Sequence, residues 1–83
     1  PKNATSDLKS TLAENSQGTQ LALSNLGRKH IILLDWQLKL TSGEQSIMYD
    51  QPLPDINMLA NSKVFIPLSD KVKSYDLAEV ILN

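Results

Sequence analysis

HIILLDWQLKL, residues 30 to 40, is the stretch whose reading decides the fold. Ile32, Leu34, Trp36, Leu38 and Leu40 fall at even positions, with Asp35, Gln37 and Lys39 between them. A strand sends successive side chains to opposite faces, so this alternation puts five large apolar residues on one face. A helix would scatter the same residues around its circumference. The stretch predicts a half-buried β-strand with Trp36 packed in the core. A tryptophan among aliphatic residues reads as packing before it reads as an exposed stacking platform.

The same pattern continues outward in both directions. Upstream, TQLALSN (19–25) carries Leu21 and Leu23 on one face, and ENSQG (14–18) before it is a turn signal. A weaker extended pattern begins at Leu8 with Ser10 and Leu12. Residues 1–7 read as a linker or frayed terminus, in which Asn3-Ala4-Thr5 matches a glycosylation sequon that chance produces often. Downstream, Thr41-Ser42-Gly43-Glu44 is a turn and Ser46-Ile47-Met48-Tyr49 a short strand. QPLPD (51–55) reads as an edge or crossing loop, because a proline has no amide to give a ladder. Val64-Phe65-Ile66-Pro67-Leu68 reads as a further strand, SDKVKSYD (69–76) as a polar loop, and residues 77–82 as the last strand.

About seven short strands separated by turns, with no helical stretch, predict an all-β antiparallel sandwich of immunoglobulin-like type over residues 8–83. The expected core comprises Leu21, Leu23, Ile32, Leu34, Trp36, Leu38 and Phe65. Asn83 follows directly on an apolar strand, so the sandwich is expected to lack its last strand and to leave an edge open. The chain opens on Pro1, which reads as a processed chain or a fragment.

Composition narrows the function classes. Eighty-three residues make one small domain, which buries only roughly 60–65% of the surface of its unfolded chain. Apolar residues are 41% and charged residues 20%, a globular composition. Eight Lys and Arg against nine Asp and Glu give a net charge of −1, which makes no electrostatic case for nucleic acid. With no cysteine there is no disulfide, thiolate metal site or cysteine nucleophile. The longest apolar run, residues 31–34, is far short of the roughly 20 residues of a membrane-spanning helix.

Chemistry-bearing constellations are sparse. One histidine and scattered loop aspartates offer neither convergent metal ligands nor calcium-loop spacing. No G-x-S-x-G occurs, and Gly18, Gly27 and Gly43 form no phosphate-cradling run. Catalytic residues, cofactors and metals are therefore expected to be absent. His30 reads as the polar first residue of a strand. Arg28 and Lys29 have the donors to contact a carboxylate or phosphate, although basic residues at a hairpin tip are commonly only solvated. Arg28, Lys29 and His30 are the candidate protein-contact residues.

TQLALSNLGRKHIILLDWQLKL (19–40), MLANSKVFIPLSD (58–70) and LAEVILN (77–83) together resemble the C-terminal immunoglobulin-like domain of PapD-like periplasmic pilus-assembly chaperones. Asn25-Leu26-Gly27 followed by His30-Ile31-Ile32-Leu33 matches the family's order of strand end, turn and strand start. Leu59-Ala60-Asn61-Ser62 ahead of Phe65-Ile66-Pro67-Leu68 looks like its later turn and proline-bearing strand. The first strand, LKSTL, lacks the tryptophan that members often carry there. The resemblance implies a periplasmic, ATP-independent chaperone's second domain. Such a domain braces the cleft in which a first domain holds a pilin subunit, and it supports docking to the outer-membrane usher. The basic pair that anchors the subunit lies in the first domain of that family and has no counterpart here. Two other readings stand beside it. One is an extracytoplasmic Ig-like binding or adhesion module unrelated to pilus assembly; the other is a sandwich attached to a hydrolase.

Overall fold

A computed structural model describes residues 7–82 of the chain. Apart from Asp7, the expected linker with its sequon lies outside the described residues, as does Asn83. The described chain is all-β and antiparallel. Its strands are β1 (Leu8–Asn15), β2 (Gly18–Asn25), β3 (Ile31–Leu33), β4 (Gln37–Ser42), β5 (Gln45–Met48), β6 (Ile56–Met58), β7 (Lys63–Pro67) and β8 (Leu77–Ile81). One turn of 3-10 helix, Asp70–Val72, interrupts the loop before β8.

Local chemistry sets the hairpins. Asn15 pairs with Gly18, and the Asn15 side chain accepts from the Gln17 N–H at 2.8 Å, which closes the β1–β2 turn. Ser42 pairs with Gln45, leaving Gly43-Glu44 as a two-residue loop. Gly43 has φ +61, the value that a type II′ hairpin demands at its first central residue.

The strands form three sheets in the orders β1-β2-β7, β5-β4-β8 and β3-β6. All three surround one core of Leu21, Leu23, Ile31, Leu33, Trp36, Leu38, Leu40, Ile56, Met58, Ile66, Leu68 and Val72. β2 and β4 are the central strands, and Leu21, Leu23, Leu38 and Leu40 on them are wholly buried. Trp36 is buried as expected, and its indole N–H donates to the Pro54 carbonyl at 2.8 Å, so its polar end is satisfied. This bond holds the proline-bearing loop, which takes no part in a sheet, against the core.

Three expected core residues lie outside it. Ile32 and Leu34 are each 58% exposed, while Ile31 and Leu33 point inward. The physical reason is a corner. Asp35 has φ 49, a left-handed conformation that no continuous strand contains, so residues 31–40 form two strands rather than one. Before the corner, Ile31 faces Met58 and Leu33 faces Ile56; after it, β4 joins β5 and β8. Odd residues point inward on one side of Asp35 and even residues on the other. Phe65 is also exposed, at 55%, because Val64 and Ile66 are in register with Leu23 and Leu21 and take the inner face. Phe65 is paired instead with Ala22 on the outer face, with the Lys63 ammonium 6.0 Å from its ring centre. The polar loop 69–76 contributes Val72 to the core.

Candidate functional site

The residues singled out for protein contact fall on the loop 26–30 between β2 and β3. Beside it lies the tight turn 59–62 between β6 and β7, closed by the Ser62 N–H donating to the Leu59 carbonyl at 3.2 Å, with Asn61 at φ 58. Asn25, the last residue of β2, ties the two together. Its side-chain amide donates to the carbonyls of Lys29 (2.7 Å), Met58 (3.3 Å) and Leu59 (3.2 Å). Its side-chain oxygen accepts from the Gly27 N–H at 3.0 Å, and its backbone N–H donates to the Ser62 carbonyl at 2.9 Å. At 1% exposure this is a buried polar side chain with every group partnered.

Gly27 fits a close approach. A Cβ there would lie 2.4 Å from the Asp7 carboxylate oxygen and 2.9 Å from its Cβ, so only glycine lets Asp7 settle. The Leu26 N–H donates to the Asp7 carbonyl at 2.8 Å, which fixes the other side of the loop.

Held by this frame, Leu26 and Leu59 each stand 63% exposed at the tip. Arg28, Lys29 and His30 are exposed beside them. The His30 ring nitrogen Nε2 bonds to the side-chain oxygen of Asn57 on β6, so the histidine braces the two segments at their surface. The three expected residues are consecutive in the chain and share one exposed loop, and beside it the structure places Leu26, Leu59 and Asn57, which sequence reasoning passed over. A signal for them existed: Asn before a small apolar–glycine turn, and a second turn ending in Ser. Its meaning depends on the two turns being neighbours, which only the strand order supplies.

Two leucines standing out on a stitched frame, with Arg28 and Lys29 beside them, suit contact with another macromolecule. Among the described residues no group of three His, Asp or Glu converges to hold a metal. A hollow at the opposite end, formed by the β1–β2 turn, Asp70 and Lys73, is polar and open, and the Asp70 carboxylate there accepts from the Thr19 N–H at 3.4 Å. Among the described residues no helix is long and apolar enough to cross a membrane. No family model matches the chain, and no curated protein or solved structure matches it.

Proposed function

We propose that this chain is a non-catalytic, protein-docking sandwich of immunoglobulin type that serves as the second domain of a periplasmic pilus-assembly chaperone. The observation that carries the docking part is the tip. Leu26 and Leu59 are exposed on a frame that Asn25 makes rigid, so their exposure is a fixed feature and not loop disorder. The immunoglobulin part is supported by strand order. In the letters of that fold, β1-β2-β7 reads as A-B-E, and β5-β4-β8 reads as C′-C-F, with the C strand broken at Asp35 into β3 and β4.

On this reading the pilin subunit is held by a separate first domain. The present domain braces it and offers the tip to the outer-membrane usher, Arg28 and Lys29 favouring an acidic rim around an apolar centre on that partner. The test uses the natural full-length protein. Leu26→Asp with Leu59→Asp should reduce usher binding by roughly tenfold or more, as loss of an apolar anchor does. Its urea midpoint should stay unchanged. Unchanged usher binding would remove the tip from the docking surface. A natural protein that co-purifies with no pilin subunit would remove the chaperone role itself.

A further inference from the structure

We infer that the cavity between the end of β5 and the loop 69–76 binds a small zwitterion whose cation is a quaternary ammonium, a trimethylammonium carboxylate of the glycine betaine kind. The cavity is half open and has a volume of about 190 Å³. Its walls are held on both sides. The Tyr49 N–H donates to the Leu38 carbonyl at 2.8 Å, which fixes the chain leaving β5 against β4. In the loop, the Val72 N–H donates to the Ser69 carbonyl at 3.2 Å and the Tyr75 N–H to the Val72 carbonyl at 3.0 Å. The Tyr49 hydroxyl oxygen accepts from the Ser69 N–H at 2.8 Å and so joins one wall to the other. The cavity is therefore preformed, as small-molecule sites are. An apolar cavity of about 150 Å³ accommodates benzene, so this one takes a branched head group and a few further atoms.

The lining states the chemistry. Asp50 and Lys71 both line the cavity, and among the described residues they are not paired with one another. Asp50 accepts instead from the Gln51 side-chain amide at 3.2 Å. A plain cation placed here would be repelled by Lys71, and a plain anion by Asp50. A molecule carrying both charges turns each repulsion into an attraction.

The cationic end is further defined by what surrounds it. Tyr49 and Tyr75 line the same cavity, beside the apolar Met48 and Val72. Aromatic rings attract a cation, most strongly one that is already weakly hydrated. A primary ammonium would bring three N–H donors, yet the Tyr49 oxygen already accepts from Ser69 and the Asp50 carboxylate is shared with Gln51. A trimethylammonium has no N–H to satisfy, and its methyl groups suit Met48 and Val72. At the anionic end, the Ser69 hydroxyl oxygen accepts from the Lys71 N–H at 3.3 Å, which leaves its proton to donate alongside the Lys71 ammonium.

The test is an amide NMR titration of the full-length protein with glycine betaine, choline and the anion of tert-butylacetic acid. The last copies the shape of betaine with carbon in place of the charged nitrogen. Betaine should shift the amides of Met48, Asp50, Lys71 and Val72 saturably, and should bind about tenfold tighter than either singly charged probe. Asp50→Asn and Lys71→Gln should each weaken betaine about tenfold. Their urea midpoints should stay unchanged, because both side chains are exposed. The losses should also cross: Lys71→Gln removes the preference for betaine over choline, and Asp50→Asn reduces that over the tert-butyl anion. A merely structural role for either residue would not produce that pattern. Equal binding of betaine and its tert-butyl copy, betaine binding unaffected by both substitutions, or no saturable shift at millimolar betaine would each overturn the inference. Leu26→Asp with Leu59→Asp should leave betaine binding unchanged, so this site and the docking tip stand or fall separately.

Discussion

At Asn25 one side chain joins the end of a strand to two turns, and it does so through donors. Asn25→Ala strips those carbonyls and the Gly27 N–H of their partner, which should cost about 2–3 kcal/mol in a urea melt. Asn25→Asp should cost at least as much. The carboxylate keeps the bond from Gly27 but turns an anion toward carbonyl oxygens. An Asp variant as stable as the parent would mean that the amide donors hold nothing. Trp36→Ala should cost about 3–5 kcal/mol, because a large buried aromatic leaves a cavity and strands the Pro54 carbonyl. Arg28→Ala with Lys29→Ala should change stability by no more than about 0.5 kcal/mol, as their side chains are exposed. The reverse order of these two effects would place the tryptophan outside the core.

At the level of elements, the run Ile31-Ile32-Leu33-Leu34 is the part that pattern reading resolves in the wrong sense. Four successive aliphatics fit either parity, and the even-numbered residues beyond them pull the reading onto Ile32 and Leu34. What decides the matter is the left-handed Asp35, a conformation whose residue type gives only a weak hint of it. Ile31→Thr should therefore cost about 2 kcal/mol or more by placing a hydroxyl against Met58. Ile32→Thr should stay within about 0.5 kcal/mol. Equal losses in thermal or urea melts would contradict the corner. Phe65 misleads for a related reason, since size suggests burial while register with Ala22 puts the ring outside. By contrast β2, β4 and both hairpins were legible, because alternation, Asn-turn chemistry and Gly43 all point the same way. Strand β6 carries only Ile56 and Met58 as its pattern, too short a signal to separate from loop. The expected contact residues were legible as a cluster in the chain; their leucine neighbours at the tip depend on pairing across 33 and 34 residues.

For the molecule as a whole, stability should decline from the middle of each sheet outward. Amides of Leu21, Leu23, Lys39 and Thr41 belong to the central strands and should exchange slowest in native-state hydrogen exchange. Those of Ala78 and Val80 should exchange far faster, although β8 is as regular a strand as β4. Uniform protection along β8 would mean that its outer side is already covered. The all-β class and the sandwich were legible because they rest on many short alternating segments read together. The approach of β1 to β8, by contrast, comes through a contact between residues 10 and 78 that no local pattern announces.

The corner at Asp35 also makes the fold sensitive to counting. Deleting that one residue would bring Trp36, Leu38 and Leu40 into phase with Ile31 and Leu33, so the whole run would alternate as an unbroken ribbon. Every core side chain would survive, yet the chain would have lost its means of passing from one sheet to the next. Two sheets would then compete for one straight strand. A deletion variant that retained the parent's circular dichroism and melting point would show the corner to be ornamental. One that stayed β-rich but lost cooperative melting would show that it sets how many layers the molecule has.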